Sequence, residues 1–277
     1  AYTFTVTYTD NVAVSVSTIG AGDVLVTGPN GFSQAATFVS VNVGSDGTPR
    51  TATYRITPPG GTWDSADTGT YTVTMQAGQV TDLKGNPVAA GSLGTFAVDT
   101  VAPTASLAAS NVTNAGATSY TFTVTYSDNV AVKVSTLSTG DVVVTGPGSF
   151  SQAATLVSVN AGSDGTPRTA TYRITPPGGT WDAADTGTYT VTMQANQVTD
   201  ANGNAVASGS LGTFQVDTVA PTASLTASNV TVAGGTEYAF TVTYSDNVAV
   251  KYSTLTNGDV LVTGPNGFSQ AATLVSV

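Results

Sequence analysis

The sequence predicts an all-β chain of two-layer sandwiches strung one after another. Three observations carry this prediction. Apolar and hydroxyl residues alternate with period two along short segments, as in Tyr120, Phe122, Val124 and Tyr126 against Thr121, Thr123 and Thr125. Turn residues separate those segments: Asp164-Gly165, Pro176-Pro177-Gly178-Gly179 and Asn202-Gly203-Asn204. The whole pattern then recurs: the segment beginning Tyr2-Thr-Phe-Thr-Val returns at Tyr120 and Tyr238, 118 residues on each time.

The elements are clearest in the middle copy. The alternation predicts strands over roughly 104–109, 119–127, 130–135, 140–145, 153–160, 168–175, 187–195 and 208–216, about eight in all. Threonine and valine dominate them, and β-branched side chains suit a pleated, half-buried surface. No segment carries a helical period. Asp99 recurs as Asp217, Arg50 as Arg168 and Trp63 as Trp181, so the period holds without insertion or deletion. The joint is the motif VDTVAPTASL at Val98–Leu107 and Val216–Leu225, where Pro103 and Pro221 stiffen a short extended linker. The expected domains are 1–100, lacking a first strand; 101–218, complete; and 219–277, the N-terminal half of a third. Those bounds suggest a window onto a longer array.

Composition narrows the function. The formal net charge is −10, from seven Lys+Arg against seventeen Asp+Glu. With no basic stripe, neither nucleic acid nor an anionic membrane surface is an expected partner. The chain has no Cys and no His. That removes disulfides, thiolate nucleophiles, imidazole bases and most zinc sites. No apolar run reaches the length of a membrane span. Asp182 and Asp185 are three apart in a loop that recurs in each copy, which does not suit a carboxylate pair built for glycoside hydrolysis. An enzyme is therefore not expected.

One motif sharpens the fold. Asp185-Thr-Gly187-Thr-Tyr189, matched by Asp67-Thr-Gly69-Thr-Tyr71, resembles the tyrosine corner of the immunoglobulin fold, whose tyrosine hydroxyl bonds to upstream backbone. The inter-sheet cysteines of antibody domains are missing, and Trp181 sits in the corner loop, where a packed plug is expected. With DTVAPTASL at the joint, YSDNVAV at Tyr126–Val132, WDAADTGTYTV at Trp181–Val191 and VTDANGNAV at Val198–Val206, the chain resembles bacterial immunoglobulin-like domains of very large cell-surface proteins. The resemblance spans all 277 residues. It implies tandem immunoglobulin-like β-sandwiches in a linear array, an extracellular location on a bacterial surface, a stalk, adhesin or fibre role, and calcium at the joints.

Asp residues are the candidate ligands. Asp128 and Asp200 fall in loops expected at the end where the chain enters the sandwich, with Asp164 nearby, and Asp99 lies in the linker arriving there. Asp217 and Asp246 repeat the arrangement at the second joint, and Asp10 and Asp82 are the first-copy counterparts. Calcium takes six to eight oxygens in flexible geometry, which Asp and loop carbonyls supply. The competing reading is that Asp and Asn cap turns through bonds to backbone. No D-x-D-x-D-G loop is present.

Other features read as structural. The Thr rows suit a solvent-facing strand rather than an ice-binding grid, since sandwich sheets twist. Lys133 and Lys251 align, but Ser15 stands at that position in the first copy, which speaks against an isopeptide staple. Asn111-Val-Thr113 and Asn229-Val-Thr231 fit the glycosylation pattern. The expected function is a structural segment of a stalk, fibre or filament. Its partners would be neighbouring repeats of the same chain, or identical chains in a filament. The alternative is a ligand- or glycan-binding adhesin module, which predicts variable loop tips; WDSADTGTY and WDAADTGTY barely differ.

Overall fold

Threonine rows on one face and aromatic or aliphatic rows on the other decide which way each strand faces. The computed structural model describes Ala1–Val277. The first copy contributes β1 (Tyr2–Tyr8), β2 (Val24–Thr27), β3 (Ser33–Ala35), β4 (Thr37–Val41), β5 (Arg50–Ile56), β6 (Gly69–Met75) and β7 (Gly91–Val98). The middle copy adds β8 (Thr104–Ala108), β9 (Tyr120–Ser127), β10 (Val142–Gly146), β11 (Phe150–Ala153), β12 (Thr155–Val159), β13 (Arg168–Ile174), β14 (Gly187–Met193) and β15 (Gly209–Val216). Four short strands follow: β16 (Thr222–Thr226), β17 (Thr241–Ser245), β18 (Leu261–Thr263) and β19 (Ser269–Ala271).

In the middle copy two four-stranded antiparallel sheets, β12-β13-β9-β8 and β11-β10-β14-β15, enclose a cluster of 20 buried residues. Tyr120, Phe122, Val124 and Tyr126 all point into it from β9. The first copy repeats the plan with β1-β5-β4 and β3-β2-β6-β7 around 14 buried residues. Its first sheet has three strands because nothing pairs with the free edge of β1. After Val216 no residue is buried; β16–β17 and β18–β19 are antiparallel pairs without an enclosed core. The protein is thus all-β and sandwich-like.

Two expected strands differ. No strand covers 130–135. Only Val132 there is buried, and it makes single bridges to Gly165 and Asp200; Val130 stays exposed, and Val134–Thr136 form a 3-10 turn. Alternating valines without a neighbouring ladder do not make a strand. The segment 153–160 is two strands rather than one. β11 lies in one sheet and β12 in the other, with buried Ala154 at the crossing.

The corner motif forms as expected. The Tyr189 hydroxyl donates to the Asp185 carbonyl at 3.1 Å, and Tyr71 to Asp67 at 3.1 Å. Asp182 and Asp185 close a capping box around the turn Ala183–Asp185 rather than facing a cleft. Trp181 is buried, its ring centroid 5.2 Å from that of Tyr189 in edge-to-face geometry, so it plugs the corner.

Candidate cation site between the first two copies

The joint is short, with five residues, Asp99–Pro103, separating β7 from β8. Asp99 therefore leaves the first sandwich and lands directly on the loops of the second. Its Oδ1 accepts from Asn129 Nδ2 at 3.1 Å, its Oδ2 from Asn202 Nδ2 at 2.7 Å, and its carbonyl from Asn204 Nδ2 at 3.1 Å. Two loops of the middle copy thus grip one residue of the preceding strand end.

Each loop is folded by its own aspartate. Asp128 Oδ2 accepts from the backbone N–H groups of Val130 and Ala131 at 2.8 and 2.9 Å. Asp200 is fully buried; its Oδ1 accepts from the N–H groups of Asn202 and Asn204, each at 2.8 Å, and its Oδ2 from Asn204 Nδ2. Turn capping is therefore real at these positions. It does not use everything the site offers.

The carboxylates of Asp99, Asp128 and Asp200 each place an oxygen within 4.8 Å of the others. None accepts a hydrogen bond from Lys or Arg, so three like charges converge without a basic partner. Asp128 Oδ1 is buried and has no hydrogen-bond partner at all. A buried carboxylate oxygen left bare is costly unless something positive meets it. The donor set is all oxygen, hard and flexible, which fits calcium better than zinc or copper.

The other predicted ligands are placed but not gathered. Asp10 Oδ1 caps Val12 and Ala13 at 2.8 and 2.9 Å. Asp82 bonds Lys84 N, Asn86 N and Asn86 Nδ2, and those hydrogen bonds hold its carboxyl below the usual carboxylate range. Neither has a counterpart of Asp99 beside it within the chain. Asp217 Oδ1 accepts from Asn247 Nδ2 at 3.2 Å and Asp246 caps Val248 and Ala249, repeating part of the joint. The position matching Asp200 in that copy falls beyond Val277. Asp164 bonds Val134 N at 2.8 Å and stays outside the cluster.

A second polar feature lies under the site and has no forerunner among the residues singled out in the sequence. Asp141 is fully buried. Its Oδ2 accepts from the Tyr172 hydroxyl at 2.7 Å and from Ser138 N at 2.7 Å, and its Oδ1 from Ser138 Oγ at 2.8 Å. Tyr172 in turn lies 3.1 Å from the Tyr126 hydroxyl. Burial pushes both phenols well above their ordinary pKa. The first copy repeats the network as Tyr8, Tyr54 and Asp23. The readable clue was an aspartate opening an otherwise apolar run, Gly-Asp-Val, in every copy at Asp23, Asp141 and Asp259. Tyr126 sits two residues before Asp128, so this network anchors the strand end that carries a candidate ligand.

No protein-family model matches the chain, and no curated protein sequence matches it.

Proposed function

We propose that this chain is a structural segment of an extracellular stalk or fibre on a bacterial surface, built of tandem immunoglobulin-like sandwiches whose joints are stiffened by calcium. The observation that carries the reading is Asp99. One residue of a five-residue linker is bonded by Asn129, Asn202 and Asn204 of the next unit and meets the carboxylates of Asp128 and Asp200. A linker so fastened transmits orientation from one sandwich to the next, which a stalk needs and a flexible tether does not. The buried, unpartnered Asp128 Oδ1 supports the metal. Asp99, Asp128 and Asp200 would hold it, and neutralising their mutual repulsion is what the ion would contribute. The recurring tyrosine corner, with its hydroxyl on the Asp67 and Asp185 carbonyls, supports the immunoglobulin-like assignment. The boundaries 1–100, 101–218 and 219–277 follow from the same reading.

Small-angle scattering and melting of the whole chain, with calcium and with chelator, test it. Extracellular calcium modules bind at around 10⁻⁴–10⁻³ M. At ten to a hundred times the dissociation constant, linkage gives about 1.4–2.7 kcal/mol. The expected result is an extended particle whose middle-unit melting rises by that amount in calcium, with the rise abolished in Asp99→Asn. Sandwiches folded back side by side would refute the stalk. Melting and scattering indifferent to calcium would refute the metal.

A further inference from the structure

In the middle copy one segment, Thr104–Ala117, closes the open side of the sandwich and touches both sheets. Its first half is β8, paired with β9. Leu107 packs against the bare backbone of Gly212. Its second half crosses to β15: Val112 N donates to Gln215 O at 2.8 Å, Asp217 N to Val112 O at 2.9 Å, and Gln215 N to Asn111 Oδ1 at 2.9 Å. The Tyr120 hydroxyl holds Ser110 O at 2.6 Å, and Trp181 exchanges backbone bonds with Gly116 and Ala117. Beneath this segment Phe122, Trp181, Phe214 and Val216 are buried.

The first copy has no such segment. Phe4, Trp63, Phe96 and Val98 are only half-buried, and Leu93 is exposed. Tyr2, Phe4, Val6, Val73, Leu93 and Phe96 line an open groove between β1 and β7. Along one side runs the free backbone edge of β1. At the other end of the chain the segment is present without its seat. Thr222–Gly235 reads TASLTASNVTVAGG against TASLAASNVTNAGA in the middle copy. Its β16 pairs with β17 alone, leaving Leu225 65% and Val230 73% exposed.

We infer that copies of this chain associate head to tail, the Thr222–Gly235 segment of one filling the groove between β1 and β7 of the next. The 118-residue period sets the register. Leu225 falls opposite Val6 and Ala223 opposite Tyr8, as Leu107 and Ala105 fall opposite Val124 and Tyr126. Val230 N–H reaches the Ala97 carbonyl, and Asp99 N–H reaches the Val230 carbonyl. The five residue pairs of β16 with β17 are exchanged for five with β1, so the ladder is neutral. What is gained is the second-sheet bonding and the burial of Leu225, Val230 and the aromatic groove. The segment carries no charge, so a chain of net charge −10 brings no repulsion into the contact. Donor and acceptor surfaces differ, which makes the contact heterologous and open-ended.

Sedimentation of the full chain tests this. The weight-average mass should rise at least twofold above 27.6 kDa as concentration climbs from micromolar toward millimolar. Leu225→Asp, at a side chain already in solvent, should fold as the parent does and hold at the monomer mass. A synthetic peptide of sequence Thr222–Gly235 should dissociate the parent oligomer and bind the Leu225→Asp chain, whose groove is intact. A parent chain that stays monomeric throughout and does not bind the peptide overturns the inference. So does an association that Leu225→Asp leaves unchanged, since another face would then be responsible.

Discussion

Removing one oxygen, by Tyr172→Phe, should cost the middle sandwich several kcal/mol. The Tyr172 proton is committed to the fully buried Asp141 at 2.7 Å, so Tyr126 must donate to Tyr172 across 3.1 Å. The substitution deletes a hydrogen bond to a charged acceptor, worth roughly 1.5–3 kcal/mol. It also strands the Tyr126 hydroxyl, whose remaining acceptor is the Met193 sulfur at 3.9 Å. Together these come to about 2–4 kcal/mol. At about 4 °C per kcal/mol for a domain of this size, the middle transition should fall by roughly 8–16 °C. Differential scanning calorimetry of the whole chain reads it out. The first copy offers an internal control. Asp23 accepts from Gly20 N and the Tyr54 hydroxyl, but Gly20 replaces Ser138 and brings no side-chain donor. Tyr54→Phe should therefore cost the first sandwich at least as much while leaving the middle transition in place. A loss below about 0.5 kcal/mol in both variants would show that the buried carboxylate does not depend on the phenol, and the reasoning would fail.

Two further outcomes follow from the same core. Burial pushes the Tyr8 and Tyr120 phenols up to about 12. A folded pKa above the unfolded value of 10 means that their contribution is whole below pH 10 and is lost between pH 10 and about 12. Urea midpoints should hold from pH 8 to 10 and drop beyond; a flat profile to pH 11.5 would contradict this. Gly146→Ala should destabilise the middle unit by about 1–3 kcal/mol or more, measured by urea unfolding, because the added Cβ would meet the buried Tyr189 ring at 2.4 Å. An unchanged midpoint would mean that the ring can move aside.

The period and the joint were legible because identical residues recur at constant spacing, and β9 because its inward set alternates without a break. The tyrosine corner was legible because a hydroxyl four residues after Asp185 has one backbone carbonyl within reach. The false strand at 130–135 shows where alternation fails: Val130 and Val132 have the right pattern but no ladder to join. Sheet crossing at Ala154 leaves no trace in composition, since a small buried residue reads the same in one strand or between two. For the site, loop order was enough to bring Asp99, Asp128 and Asp200 to one end. It could not reveal that Asn129, Asn202 and Asn204 would grip the linker, because those contacts span about a hundred residues and depend on side-chain direction. The aspartate network at Asp141 was missed because a carboxylate among valines looks like a surface residue until its phenol partner folds over it.

The crossing of the first segment from β8 to β15 has a mechanical consequence. Val112 and Val216 bridge in parallel, one near the start of the unit and the other at its exit. Tension on the chain draws Val112 back toward the preceding joint and Val216 forward toward the next. The three bonds that tie Asn111 and Val112 to Gln215 and Asp217 are then loaded together, in shear, instead of opening one at a time. The first thing a pull meets in the middle sandwich is a clasp whose members must break at once, with the aromatic core still closed behind it.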